Sequence, residues 1–359
     1  MKNLKVAILT RPQNASPKVL AHSLQGMLER LGVAATIFAD ALPMLGRHFP
    51  LRSPLRHNLS FNYRLRLKLA HYLGDRRLLN QLAQYDAFVV SECTPNAFWK
   101  GYYDVEGLRR VFPGKPILLH EVYYLGCAPT QIASLHAAGD FGPERYDWHL
   151  AVSPVTEIRL PPAPPWSAIG LDLCAAGLRP AARKKFTVVV DFAQPGFERY
   201  RQEQLQALAE SGVEPILLSG RYTIAALREI YAQTGAFFLQ FPEAFGVSAA
   251  ECLATGACIF TPDSSWPMSW RLNLDAAVHG PGELADCFQT YSGVGDLVEK
   301  LTRLRSAYNG ETTPFKVFAS FKRHYPAFYE GDLAALKSVL ERIQNRAFPA
   351  RQAGRALTF

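Results

Sequence analysis

Short apolar runs rich in β-branched and aromatic residues recur along this chain, separated by stretches of helical period: KVAIL, AATIFA, YDAFVVS, KPILLHE and WHLAVS. Strands joined through helices lie parallel and are covered on both faces, so the alternation specifies a doubly wound α/β sheet. A Pro-rich stretch, LPPAPPW at Leu160 to Trp166, interrupts it. Proline lacks the N–H that a helix interior or central strand needs, so this stretch reads as a linker. The alternation restarts with KFTVVVDF, EPILLSG, AFFLQF and ACIFTP, between helices predicted over 202–210 and 224–233. Two parallel-sheet domains are expected, 1–165 and 166–310, followed by a helical segment, 311–359, packing back toward the first domain.

Length and composition agree with two cores. A chain of 359 residues exceeds the size at which a single core keeps growing, and 48% hydrophobic content suffices to fill two. Disordered, collagen-like and coiled-coil classes are excluded by the same figures. The cysteines Cys93, Cys127, Cys174, Cys252, Cys258 and Cys287 are scattered without a Cys-x-x-Cys pair, which argues against a disulfide framework or a zinc site. The first apolar run, Val6 to Leu9, is too short for a signal-peptide core, and no run approaches the roughly 20 apolar residues of a membrane span. A reducing cytoplasmic setting is expected.

The most informative stretch is AFFLQFPEAFGVSAAECLATGACIF. It reads as a strand over 236–241, a tight loop over 242–246, a helix over 248–255 stopped by Gly256, and a strand over 257–260. In open parallel sheets ligands lie beyond the carboxyl ends of the strands, where this loop and helix start belong. A helix start offers free backbone N–H groups and a positive dipole end, hence a seat for an anion. Gly246 permits close approach of a ligand to the backbone. Glu243 and Glu251 border the same crevice, one able to grip sugar hydroxyls and the other ribose hydroxyls. Ser248-x-x-Glu251 is equally a capping box, in which Glu251 merely ties back to the Ser248 backbone.

PEAFGVSAAECLATGACIF resembles the signature of the retaining family 4 glycosyltransferases, in which two glutamates with seven residues between them surround a Gly-Phe-Gly loop and a small-residue helix. Here Ala244 replaces the first glycine. The resemblance implies a GT-B fold, with two Rossmann-like doubly wound domains facing a central cleft. It implies that Glu243 faces the donor sugar, that Glu251 takes the ribose hydroxyls, and that the backbone of Phe245, Gly246 and Val247 meets the phosphates. Weaker similarities run upstream: SGRY with the turn closing on the nucleotide base, IGLDL with the element after the interdomain crossing, HLAVSPVTEIRL with the last N-domain strand, and KPILLHE with a strand ending in a histidine that faces the transferred sugar. That residue is His120; a strand-end histidine is also a common structural residue. A metalloprotease His-Glu-x-x-His is excluded because position 124 is Tyr124.

Two departures stand out. The Arg and Lys with which the family neutralises the donor diphosphate are missing from VVVDFAQPGFERYRQEQL, where Asp191 lies near the Arg position. Arg199, Arg201 and Arg221 are the candidate substitutes, each equally readable as a solvated charge. The glycine pair expected after the first strand is absent from AILTRPQNASPK. No Walker loop, Gly-x-Gly-x-x-Gly or nucleophile-elbow serine occurs.

Charge is concentrated in one segment. Between Arg47 and Arg77, eight Lys or Arg face one acid, Asp75, a net +7 of the chain's +8. Leu65, Leu69 and Leu73 with Arg64, Lys68 and His71 suit an amphipathic basic helix, while Phe61, Tyr63, Leu65 and Leu67 also alternate as in a strand. An anionic membrane surface or acceptor is the leading partner for residues 47–77, a plain solvated face the next, and a nucleic-acid groove the third.

The sequence thus points to a metal-independent, retaining glycosyltransferase that moves a sugar from a nucleotide-sugar donor to a glycan or lipid-linked acceptor. Glu243 and His120 are its expected catalytic residues; Glu251, Phe245, Gly246, Val247, Arg221 and Arg199 are its expected donor-binding residues. The alternatives are a degenerate, non-catalytic glycosyltransferase-like binding subunit and a nucleic-acid-associated transferase.

Overall fold

The computed structural model describes residues 4–10, 15–39, 65, 76–91, 108–109, 111–123, 146–154, 165–182, 185–241, 243–273 and 281–348. The chain divides into two compact units, one of residues 1–154, 160–169 and 332–359, the other of residues 155–159 and 170–331. The proposed basic helix of residues 64–73 lies outside the described residues except for Leu65, which is helical and exposed.

In the first unit the elements are β1 (Lys5–Leu9), α1 (Ala15–Arg30), β2 (Ala34–Phe38), α2 (Arg76–Leu82), β3 (Ala87–Ser91), β4 (Ile117–Tyr123), β5 (Trp148–Ser153) and β6 (Trp166–Ala168). They form a six-stranded sheet in the order β2-β1-β3-β4-β5-β6, every pair parallel. Neighbouring residues alternate between two cores. Val6, Ile8, Val89, Leu118 and Leu150 pack with Leu24, Met27 and Leu28 of α1, while Ala7, Leu9, Phe88, Val90 and Leu119 pack with Leu78 and Leu82 of α2. Both faces are covered, which is why these strands read as continuous apolar runs. Trp166 ends the Pro-rich stretch and opens β6, whose Ser167 Oγ accepts from Trp148 Nε1 at 3.1 Å. A strand of three residues is too short to show a period in the sequence.

The second unit contains β7 (Val188–Val190), α3 (Glu198–Glu210), β8 (Pro215–Leu217), α4 (Ile224–Gln233), β9 (Ala236–Phe238), α5 (Val247–Ala254), β10 (Cys258–Thr261), β11 (Phe288–Thr290), α6 (Gly293–Ala307), α7 (Thr313–His324) and α8 (Ala327–Glu330). Its five-stranded sheet has the order β11-β10-β9-β7-β8, again all parallel. The chain leaves β7 toward β8 on one side and returns to β9 on the other. The direction of winding therefore reverses between β7 and β9, and helices on opposite faces part there to leave a crevice beyond the strand ends. Gly256 closes α5 at φ +83°, where an added Cβ would lie 2.3 Å from the Pro314 carbonyl oxygen. Only glycine lets α5 stop there against the start of α7.

The last helix, α9 (Leu333–Gln344), belongs to the first unit, where Leu336, Val339, Leu340 and Ile343 join the core over α1. Asp332 caps it by accepting from Ala335 N at 2.9 Å. No helix among the described residues is long and apolar enough to cross a membrane.

Candidate functional site

The predicted strand–loop–helix stretch occupies the carboxyl edge of the second sheet, beside the reversal between β7 and β9. β9 ends at Phe238, three residues earlier than expected, and the chain then turns into α5. Gly246 is the N-cap residue at φ +73°; a Cβ there would come 3.3 Å from the Glu243 Cδ and Oε2. The Glu243 carboxyl thus folds back over the start of α5, into room that only a glycine leaves. No side chain caps this helix, so its first N–H groups keep their capacity for an acceptor.

The loop is held from beneath by an aromatic group that no local sequence pattern announces. Phe245 stacks on Trp270, ring centroids 5.1 Å apart, and meets Phe328 edge-on at 4.9 Å. Trp270 Nε1 donates to the Phe245 carbonyl at 2.5 Å, and Ser269 N donates to the Ala244 carbonyl at 2.9 Å. Phe245 is therefore a core side chain; any ligand contact at this position falls to its backbone. Val247 is the first helical residue of α5.

The capping-box reading fails. Ser248 is the second residue of the helix, not its cap, and Glu251 reaches sideways to α4, where Arg228 Nε donates to its Oε1 at 2.8 Å. Glu251 is 4% exposed. Burial raises the pKa of its carboxyl, with Arg228 pulling the other way. Its Oε2 makes no hydrogen bond among the described residues.

Asp191, directly after β7, stands within electrostatic reach of Glu243. Loss of hydration, and then the neighbouring Asp191, push the Glu243 carboxyl up to about 8. Asp191 is itself pushed up to about 7 by burial, against the opposing effects of the Phe192 N–H, which donates to its Oδ1 at 2.8 Å, and of Arg201. Two acids near one another and poor in water cannot both ionise at neutral pH.

Of the candidate cations, Arg199 is 82% exposed and pairs with Glu203 at 2.8 Å, one turn further along α3. Arg221 is exposed in the turn before α4. Among the described residues no group of three or more His, Cys, Asp or Glu could hold a metal ion.

His120 belongs to the first unit and stands at the middle of β4, which continues to Tyr123 rather than ending at the histidine as expected. It is fully buried, and its Nδ1 lies 3.4 Å from the Ser91 Oγ on the register partner in β3. Its Nε2 has no hydrogen-bond partner among the described residues. Burial first, then nearby His149, bring its pKa down to about 3, so the imidazole is neutral. Successive side chains in β4 alternate faces, and Glu121 on the other face pairs with His149 Nε2 at 2.5 Å.

Among solved structures, an alpha-glucosyltransferase in complex with UDP and a 13-mer DNA containing a central A:G mismatch superposes with a TM-score of 0.56 at 10% identity, covering 96% of this chain and 100% of its own. The glycosyltransferase VinC in complex with dTDP (TM-score 0.43, 12% identity, 96% and 100% covered) and the spinosyn forosaminyltransferase SpnP (0.44, 14%, 95% and 99%) also match. No family model and no curated protein sequence matches the chain. The first likeness, with two all-parallel α/β sheets, defines the fold as GT-B.

Proposed function

We propose that this protein is a glycosyltransferase that takes its sugar from a nucleotide donor held by the second unit. The observation that carries this reading is the start of α5: a helix end whose cap residue, Gly246, offers no side chain, beside the sheet reversal, with the Glu243 carboxyl folded over Gly246 and Glu251 held one face further on by Arg228. Exposed amides at the helix end supply fixed dipoles for a departing diphosphate, in place before charge develops on it. Protonated at neutral pH, Glu243 donates a hydrogen bond to the donor rather than repelling its phosphates. Glu251 Oε2 is the acceptor offered to ribose hydroxyls.

Retention of configuration, independence of metal and a glycan or lipid-linked acceptor complete the reading, supported by the likeness of the Glu243 to Glu251 stretch to the retaining signature. Incubation with a panel of nucleotide sugars tests it. Release of nucleoside diphosphate by the wild type, abolished in Glu243→Ala, is expected; no release from any donor, with no nucleotide-induced rise in melting temperature, rejects it in favour of a non-catalytic binding subunit.

A second reading changes only the acceptor. The solved structure that shares this fold at a TM-score of 0.56 holds DNA beside UDP, and residues 47–77 carry a net +7. A nucleic-acid acceptor then requires duplex binding that weakens steeply between about 50 and 200 mM salt. Absent or salt-independent binding removes it.

A further inference from the structure

We infer that Arg201 is the cation that receives the donor diphosphate, in place of the arginine and lysine that the sequence lacks. This rests on the nucleotide-sugar reading above and names the phosphate contact within it. Arg201 lies in the first turn of α3, half-buried, and one guanidinium nitrogen, Nη1, donates at 2.8 Å both to the Asp191 carbonyl and to the Gln240 Oε1. Asp191 directly follows β7 and Gln240 stands two residues past β9, the two strands between which the winding reverses. The guanidinium is thereby fixed over the reversal, on the same edge as Glu243 and the start of α5.

Its partners set it apart from its neighbours. Arg199 and Arg228 are each neutralised by a hydrogen-bonded carboxylate, Glu203 and Glu251. Arg201 instead bonds two neutral oxygens, a carbonyl and an amide, and its Nε and Nη2 make no hydrogen bond among the described residues. Arg221 is exposed and makes no side-chain hydrogen bond among the described residues. A guanidinium fixed through one nitrogen and open at the others is organised in advance for the forked recognition of phosphate oxygens. Asp191 beside it is pushed up to about 7 by burial, with Arg201 pulling the other way.

Calorimetry on the full chain separates this contact from the rest of the site, with UDP and dTDP as diphosphate probes and uridine and thymidine as their phosphate-free counterparts. Arg201→Gln is expected to weaken binding of whichever diphosphate the wild type prefers by about 10- to 100-fold, while its nucleoside binds within about twofold of wild type. Unchanged diphosphate affinity in Arg201→Gln overturns the assignment, as does an equal loss of diphosphate and nucleoside. Should Arg201→Gln not fold, Arg201→Lys is judged by the same split. A wild type that binds none of the four probes rejects the nucleotide-sugar reading itself.

Discussion

At the carboxyl end of the first sheet, His120 is fully buried and kept neutral, and Glu121 is matched by His149 on the opposite face. At the carboxyl end of the second, Asp191 and Glu243 share a water-poor edge with an arginine that bonds only neutral oxygens. Both edges bury ionisable groups, yet the first settles its charge internally and the second leaves it open. Internally settled charge holds a strand end in place; charge left open awaits a ligand. The proposal of a donor at the second edge rests on that difference.

Removing what stiffens the second edge is expected to produce the largest effect. Trp270→Ala takes away the ring stacked on Phe245 and the N–H to its carbonyl. A loss of about 3 to 5 kcal/mol in denaturant unfolding is expected, as for other buried large-to-small changes. A loss below about 1 kcal/mol would mean the loop holds itself.

The two edges should also respond to pH in opposite directions. His120 has a folded pKa near 3, below its usual 6.5, so its contribution is present above the usual value and fades as pH falls. Glu243 and Asp191, raised to about 8 and about 7, contribute below the ordinary carboxylate range and lose that contribution as pH rises through 7 to 8. Each limb amounts to a few kcal/mol in this linkage. Thermal unfolding from pH 4 to 9 is expected to lose its acid limb in His120→Gln and its alkaline limb in Glu243→Gln. Identical profiles in all three proteins would erase the contrast.

Smaller in scale, Glu251→Gln should weaken nucleoside diphosphate binding by about 1.5 to 3 kcal/mol, the worth of a charge-assisted hydrogen bond. Calorimetry showing wild-type affinity would reduce Glu251 to a structural partner of Arg228. Smallest of all, Arg199→Ala should leave nucleotide affinity within about twofold, because its salt bridge to Glu203 is solvated. A tenfold loss would mean that the donor also reaches the start of α3, ahead of Arg201.

Much of the fold was legible from periodicity alone. Each apolar run quoted for the first half became a strand, and the helix read over 224–233 has those bounds. β6 and β11 escaped because WSA and FQT place polar residues within three-residue strands and leave no apolar run, and β9 was read too long because Leu239 and Phe241 continue the apolar pattern while the backbone leaves the ladder. Within the site, Glu243, Gly246 and Glu251 could be picked out because they lie within nine positions of one another around one helix start. The box formed by Ser248 and Glu251 matched a local rule that the fold did not use, since Gly246 already caps the helix and Arg228 claims the carboxylate. Phe245 was matched to the phosphate-facing backbone by resemblance alone; the aromatic rings that claim its side chain lie far along the chain, where no local pattern shows them.

Local pattern determined the two parallel sheets, the order of their elements and the helix start with its two acids, because hydrogen-bonding period and turn chemistry act over a few residues. Pairing between distant residues was decided only by the tertiary structure: Trp270 under Phe245, Arg228 on Glu251, Arg201 across the ends of β7 and β9, and two carboxyls within electrostatic reach of one another. Burial and proximity set charge state and orientation, and neither is a property of neighbours along the chain.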